Sequence, residues 1–103
     1  MIGFFKKIFG GSSINFRQLV NSGAVIIDVR SPGEYKAGHV QGSKNYPLDI
    51  IRDKVNELKK MSKPVITVCR SGTRSGIAKG ILKSAGIEVY NGGAWTSLEN
   101  KIA

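Results

Sequence analysis

Two short runs of apolar residues constrain the fold of this chain more than any other part of its sequence. One spans residues 24–29 and the other spans residues 65–68, and both are rich in β-branched valine and isoleucine. Each run is too short for an isolated helix, and its apolar residues are nearly continuous instead of alternating with polar ones. This pattern is typical of parallel strands that are covered on both faces.

Helix signals surround both runs. A cap at Asn15 and an end at residues 22–23 delimit a first short helix. Ser31 and Glu34 match a capping box with proline at the first helical position. A helical turn is therefore predicted at the carboxyl end of the first apolar run.

Two longer segments show the apolar spacing of helices with one buried face. The first covers residues 50–61 and is broken by Pro64, and the second covers residues 77–85 and is stopped by Gly86. The predicted buried positions are Ile51, Val55, Leu58 and Met61 in the first segment and Ile77, Ala78, Ile81, Leu82 and Ala85 in the second.

The carboxyl-terminal residues continue this alternation of strands and helices. Residues 88–90 are predicted to form a short strand, residues 91–93 a turn and residues 95–102 a last helix. Strands that alternate with helices indicate an α/β fold, in which a mostly parallel sheet is sandwiched by helices. Sites in such folds form at the carboxyl ends of the strands.

Size, composition and charge narrow the class of protein. The 103 residues, 41% of them hydrophobic, are enough for one domain with its own core. The single cysteine permits no intrachain disulfide and no cysteine-based metal site, so we expect a reducing compartment, the cytoplasm. The net charge of +9 could indicate nucleic acid as a partner, but no nucleic-acid-binding signature is present. We expect the charge to attract a small anionic substrate instead.

The first thirteen residues are predicted to be separate from the domain at residues 14–103. Residues 1–11 place phenylalanine and isoleucine around two lysines, as in a short amphipathic helix, and residues 10–13 suit a flexible join. The segment is too short to span a bilayer and lacks the features of a signal peptide. Contact with a membrane surface is an alternative; we favour docking on the domain or fraying.

The one cysteine directly follows the second apolar run and begins a polar loop. The loop residues are Cys69, Arg70, Ser71, Gly72, Thr73, Arg74 and Ser75. The free N–H groups at the start of the following helix, together with the two arginines, should stabilise a thiolate at Cys69. Gly72 lets the backbone turn so that N–H groups converge on an anion. A buried structural cysteine is the alternative, but a core position would not call for a cationic loop.

Four motifs follow one another within residues 16–98. They are Asp28-Val29-Arg30, then Glu34, Gly38-His39, Gly42, Asn45 and Pro47, then Cys69-Arg70-x-Gly72-x-Arg74, and finally Gly92-Gly93 with Trp95. In this order they resemble the rhodanese family of sulfurtransferases in its single-domain form. Any one motif would be weak, but the combination is specific.

The resemblance implies a rhodanese-like three-layer α/β/α domain that transfers sulfur without a metal or an organic cofactor. Cys69 would take the outer sulfur of thiosulfate or a similar donor, hold it as a persulfide and pass it to cyanide, a thiol or a protein. The N–H groups of residues 70–75 would hold the negative charge of the persulfide. Arg70 and Arg74 would attract the donor, with Arg74 facing inward and Arg70 as the outer contact.

Three further residues could take part in catalysis, but a structural role is expected for each. Asp28 and Arg30 could act as a charge pair at a strand end. We expect instead that Asp28 hydrogen-bonds to a loop and that Arg30 pairs with Glu34, so that both support loop positions. His39 could be a base for Cys69, but we expect it to serve a turn, because the helix and the arginines already supply the electrostatics.

Three other functions compete with sulfur transfer catalysed by this chain. A cysteine phosphatase also places a nucleophilic cysteine and an arginine in a loop before a helix, but its pattern is C-x5-R, whereas four residues separate Cys69 from Arg74. A non-catalytic rhodanese-like interaction module would be expected to have lost the cysteine or the loop pattern. A persulfide carrier that serves a protein partner would keep the same loop, and the sequence does not separate it from an enzyme.

Overall fold

A computed structural model describes residues 14–103 of the chain. The predicted amphipathic helix and flexible join fall within residues 1–13 and lie outside the described residues. In the part that is described, no helix is long and apolar enough to cross a membrane.

The described residues contain α-helices, parallel strands and a 3-10 helix. The helices are α1 (Phe16–Asn21), α2 (Pro32–Ala37), α3 (Val55–Met61), α4 (Thr73–Ser84) and α5 (Trp95–Ile102), and the 3-10 helix is Leu48–Lys54. The strands are β1 (Val25–Asp28), β2 (Lys44–Asn45), β3 (Val65–Cys69) and β4 (Val89–Ala94).

The four strands form one parallel sheet in the order β2-β1-β3-β4. The two faces of this sheet fill two cores. Ile27 and Leu82 belong to the core beneath the 3-10 helix, α3 and α4, whereas Ile26 and Leu98 belong to the core beneath α1 and α5. Since neighbouring residues of a strand point to opposite faces, the continuous apolar runs supply both cores. The predicted α/β fold with a parallel sheet between helices is confirmed.

The predicted caps of the first two helices are present. The Asn15 side chain accepts a hydrogen bond from the backbone N–H of Gln18 at 3.0 Å, ahead of α1. Ser31 and Glu34 form the reciprocal capping box of α2, which begins at Pro32. These local signals were sufficient because each capping bond joins residues only three positions apart.

Two helix predictions differ from the structure. Residues 50–61 do not form one helix, because the segment begins earlier as the 3-10 helix and becomes α-helical only at Val55. The helix after the cysteine begins at Thr73, not at Ile77, and it buries Ser75, Ala78 and Leu82. Ile77 was predicted to be buried, but it lies beside this stripe and is 52% exposed.

Two strand predictions also need correction. The turn predicted at residues 91–93 is part of β4, which continues through Gly92 and Gly93 to Ala94 with an irregular register. The two-residue strand β2 was not predicted, because two residues are too few to show a period.

Candidate active site

Cys69 is the last residue of β3 and lies at the carboxyl edge of the sheet. Its side chain belongs to the core beneath α4 and is 1% exposed. Its Sγ accepts a hydrogen bond from the backbone N–H of Gly72 at 2.9 Å and lies 3.4 Å from Oγ of Ser75. A strand end and a helix start therefore enclose the sulfur from two sides.

The loop after Cys69 is tighter than its sequence suggested. Because α4 begins at Thr73, only Arg70, Ser71 and Gly72 connect the strand to the helix. Gly72 precedes the helix with a φ of 106°, in the region that glycine occupies at little cost. Thr73 and Ser75 thus belong to the first helical turn, whose N–H groups have no partners within the helix.

Opposing effects set the ionisation of Cys69. Burial raises the pKa of the thiol, whereas the hydrogen bonds that the Ser75 hydroxyl and the backbone N–H groups of Ser75, Gly72 and Ser71 can make to an ionised sulfur lower it. The hydrogen bonds outweigh burial, so the pKa of Cys69 lies below its ordinary value. The site thus stabilises the thiolate form more than water does for an ordinary cysteine, in a place that solvent barely reaches.

A polar network behind the sulfur joins β3, β4 and the start of α4. The Ser75 hydroxyl donates to Oδ1 of Asn91 at 2.6 Å, and the Asn91 amide nitrogen donates to the carbonyl of Gly72 at 3.2 Å. The Thr67 hydroxyl donates to the carbonyl of Ser75 at 2.9 Å. Sequence reasoning missed Asn91 and Thr67, because neither lies in the loop motif.

An irregularity in β4 aims Asn91 at this network. Asn91 pairs with Thr67, but Gly93 pairs with Val68, so Gly92 is an extra residue between the two pairs. A Cβ on Gly92 would lie 2.9 Å from a methyl group of Val68 and 3.1 Å from the carbonyl oxygen of Thr67. Glycine is required because the bulge brings the two backbones together here.

The two arginines of the loop have different surroundings. Arg74 donates two hydrogen bonds to the carboxylate of Glu34, at 2.7 Å and 3.0 Å, and both side chains are about one-third exposed. Arg74, followed by the Ser31 backbone N–H, lowers the pKa of Glu34 from 4.5 to about 2. Arg70 is exposed to solvent.

Asp28 and Arg30 form a buried ion pair at the end of β1. The guanidinium of Arg30 donates to both carboxylate oxygens of Asp28 at 2.7–3.0 Å, and the Arg30 backbone N–H donates to the same carboxylate. The predicted ion pair between Arg30 and Glu34 was wrong, because Asp28 holds Arg30 within the same strand end and Glu34 turns to Arg74. Arg30 also donates to the carbonyl of Gly38 at 2.7 Å, so the pair anchors the end of α2.

His39 lies on the surface beyond α2. Its ring stacks on Tyr35 with 3.7 Å between the ring centroids, and Nδ1 is 2.7 Å from the Tyr35 carbonyl oxygen. These two contacts with Tyr35 give His39 a place in the turn that follows α2.

The guanidinium of Arg30 lies 4.9 Å from the centroid of the Trp95 ring, which packs against the core beneath α1 and α5.

Titratable side chains do not gather into a metal-binding group in the described part of the chain. No three His, Cys, Asp or Glu residues among residues 14–103 lie close enough together to hold an ion. The chemistry that the residues on this edge of the sheet can perform is that of a hydrogen-bonded thiolate beside cationic groups.

Comparisons with known proteins agree with this geometry. The uncharacterized protein YqhL of Bacillus subtilis is 41% identical over 69 residues, which are 66% of this chain and 54% of YqhL. The thiosulfate sulfurtransferase PspE of Escherichia coli is 34% identical over 83 residues, 80% of each chain. A solved structure described as rhodanese with anions from E. coli is 34% identical, with a TM-score of 0.66 over 72% of this chain and 89% of that one.

A family model is matched along most of the domain. The model described as Rhodanese-like domain matches residues 14–97, which include Cys69 and every polar partner of its sulfur. The chain spans about half of YqhL, so the comparison concerns the domain and not the whole of that relative. By its fold, its sequence and the match to this model, the chain belongs to the rhodanese-like domain family.

Proposed function

We propose that this protein is a sulfurtransferase that moves a sulfane sulfur from thiosulfate or a similar anionic donor to cyanide, a thiol or a protein acceptor. The observation that carries the proposal is the Cys69 sulfur, which accepts the Gly72 N–H at 2.9 Å and has a lowered pKa. The family of the chain, which has thiosulfate sulfurtransferases among its members, supports the choice of reaction.

The reaction proceeds by two displacements. In the first, the Cys69 thiolate attacks the outer sulfur of thiosulfate, a new S–S bond forms at Cys69, and the S–S bond of thiosulfate breaks as sulfite leaves with the electron pair. In the second, cyanide attacks the outer sulfur of the persulfide, thiocyanate leaves, and the thiolate returns. No metal or organic cofactor takes part, and neither step requires a net oxidant.

The residues after Cys69 supply the charge that such a reaction needs. In this scheme the N–H groups at the start of α4 hold the negative charge of the persulfide, as oriented dipoles do for an oxyanion. Arg70 is free to meet an anionic donor at the surface, whereas Arg74 is held by Glu34 and braces the helix start against α2. Asp28 and Arg30 support the neighbouring loops and do not touch the sulfur in this scheme.

The short loop supports sulfur chemistry over phosphate-ester hydrolysis. Three residues connect β3 to α4, and the Gly72 N–H is already in contact with Cys69 Sγ. A loop this short suits a single sulfur atom better than a tetrahedral phosphate.

Because the single cysteine calls for a reducing compartment, the cytoplasm is the proposed location.

The test is the intact mass of the protein after thiosulfate, and again after cyanide. We expect a gain of about 32 Da, one sulfur atom, that cyanide removes with release of thiocyanate. The Cys69→Ser variant, treated in the same way, should gain nothing. Thiosulfate that leaves the mass of the wild-type protein unchanged, while a polysulfide or a persulfidated protein adds the sulfur, would favour a persulfide carrier over an enzyme that uses thiosulfate. No adduct from any donor would reject the proposal and favour the non-catalytic module.

A further inference from the structure

Asn91 contacts the candidate active site from a strand that Cys69 does not belong to. Its Oδ1 accepts the Ser75 hydroxyl at 2.6 Å and the Gly93 N–H at 2.9 Å, and its Nδ2 donates to the Gly72 carbonyl at 3.2 Å. Ser75 and Gly72 are the residues whose Oγ and N–H lie next to the Cys69 sulfur. Asn91 is therefore bound to both immediate neighbours of the reactive atom without touching it.

We propose that Asn91 is a positioning residue whose amide oxygen accepts the hydrogen bond of the Ser75 hydroxyl while Cys69 is a thiol, and that this hydroxyl turns to donate to the sulfur when Cys69 ionises. This inference deepens the proposed function, on which it rests only for the importance of the thiolate. It assigns Asn91 a role in setting how much thiolate is present at a given pH.

The number of hydrogens shared by Cys69, Ser75 and Asn91 limits which hydrogen bonds can form at the same time. A serine hydroxyl has one hydrogen to donate and can also accept. With Cys69 protonated, the S–H donates to Ser75 Oγ at 3.4 Å and the Ser75 hydroxyl donates to Asn91 Oδ1 at 2.6 Å, so each group has its partner. A thiolate has no hydrogen to give. Ser75 can then contact the sulfur favourably only by turning its hydrogen away from Asn91.

Asn91 tolerates this change because its amide oxygen has a second donor. The Gly93 N–H remains on Oδ1 at 2.9 Å when the Ser75 hydrogen leaves, and the bond from Nδ2 to the Gly72 carbonyl is unaffected. The amide oxygen and the thiolate thus compete for a single hydrogen. The competition raises the cost of ionising Cys69 compared with a site that lacks Asn91.

The backbone of β4 fixes Asn91 in this position. Gly92 is the extra residue of the bulge, and it fits only because it has no Cβ to meet Ile66, Val68 and the Thr67 carbonyl. Asn91 therefore cannot follow the movement of the Ser75 hydrogen by shifting its backbone. The Ser75 hydroxyl, which turns about one bond, is the mobile partner.

The charged groups around the sulfur come from elements other than β4, and the replacement of Asn91 by a neutral residue adds or removes none of them. They are Arg70 and Arg74 from the loop and the start of α4, Glu34 from α2, which holds Arg74, and the pair of Asp28 and Arg30 at the end of β1. A change in Cys69 ionisation after the replacement of Asn91 by a neutral residue is then a change in hydrogen bonding.

The test is the pH dependence of Cys69 alkylation by iodoacetamide, which needs no sulfur donor. In Asn91→Ala the Ser75 hydrogen has no competing acceptor, so we expect the pKa of Cys69 to fall by about half to one pH unit. In the Ser75→Ala background the same replacement should cause no further shift, because the hydroxyl through which Asn91 acts is gone. Asn100→Ala, an exposed asparagine in α5, is the control and should leave the profile unchanged.

A purely structural role would give the opposite result. Loss of the bond to the Gly72 carbonyl alone would loosen the Gly72 N–H and raise the pKa of Cys69 or leave it unchanged. Either outcome in Asn91→Ala, or an equal fall in the Ser75→Ala background, overturns the proposal.

Should Asn91→Ala fail to fold, Asn91→Asp replaces it. Its carboxylate keeps the acceptor and binds the Ser75 hydrogen more strongly, so the pKa of Cys69 should rise by more in the wild-type background than in Ser75→Ala. Equal shifts would overturn the proposal. The readout is ionisation, so a chain that fails to transfer sulfur would still report on Asn91.

Discussion

Arg74 and Glu34, forty residues apart, hold each other by two hydrogen bonds of 2.7 Å and 3.0 Å. Arg74 lies in the first turn of α4 beside Cys69, and Glu34 closes the capping box of α2. The pair thus ties the start of the helix that faces the sulfur to the helix that follows β1. Arg74 is thus held by an ion pair, whereas Arg70 is the exposed arginine of the loop.

The contribution of Glu34 to stability should depend on pH. Its pKa is lowered from 4.5 to about 2, so its stabilising effect is fully present above pH 4.5 and is lost as the pH falls toward 2. Glu34→Gln keeps a residue that suits the capping box but removes the charge. We expect the variant to have a lower free energy of unfolding than wild type at pH 7, and this difference should disappear near pH 2. Urea unfolding curves across this pH range measure it.

Glu99→Gln is the matched control for Glu34, since Glu99 is exposed in α5. The difference in unfolding free energy between this variant and wild type should not vary over the same pH range. A Glu34→Gln variant whose gap from wild type is as large at pH 2 as at pH 7 would contradict the stabilising ion pair.

Replacement of Cys69 by serine should abolish sulfur transfer and preserve the fold. The hydroxyl is close in size to the thiol and can accept the Gly72 N–H that now reaches Sγ. Serine does not ionise at neutral pH, so the nucleophile is lost. Circular dichroism and a thiocyanate-release assay on the same sample check both halves of this prediction, and any residual transfer would point to a different nucleophile.

Loss of the exposed arginine should weaken the capture of an anionic donor more than the chemistry. For Arg70→Ala we expect the KM for thiosulfate to rise about two- to fivefold, the size of a solvent-exposed charge interaction, with kcat little changed. Added salt should raise the KM of wild type toward that of the variant. Lys83→Ala removes the same charge at the far end of α4 and should leave the KM unchanged; an equal effect there would mean that net charge alone attracts the donor.

Two glycines should respond to alanine in opposite directions. A Cβ at Gly92 would lie 2.9 Å from Ile66 and Val68 side chains, so Gly92→Ala should cost about 1–3 kcal/mol of unfolding free energy. At Gly80, inside α4, a Cβ meets nothing within 4 Å. Gly80→Ala should stabilise the protein by about 0.5–1 kcal/mol, because glycine is a poor helix former. Urea unfolding of both variants measures the contrast, and a stable Gly92→Ala would show that the bulge can relax.

Local patterns predicted most of the fold. The continuous apolar runs became β1 and β3, and the cap at Asn15 and the capping box at Ser31 are present, because these signals depend on residues within a few positions of one another. Predictions failed where distant contacts override local preference. Residues 91–93 resemble a turn, but pairing with β3 draws them into β4.

The sequence by itself determined that Cys69 ends a buried strand and precedes a helix within a cationic loop, since these features are encoded in adjacent residues. Only the tertiary structure decided which side chains meet there. Asp28 holds its near neighbour Arg30 and leaves Glu34 to Arg74. Asn91 reaches Ser75 because the strand order places β4 beside β3 at this edge of the sheet. Hydrogen bonds across 16 and 40 positions leave no periodic signal in the chain; the first follows from the register of β3 and β4, and the second from the way the sheet brings the start of α4 near α2.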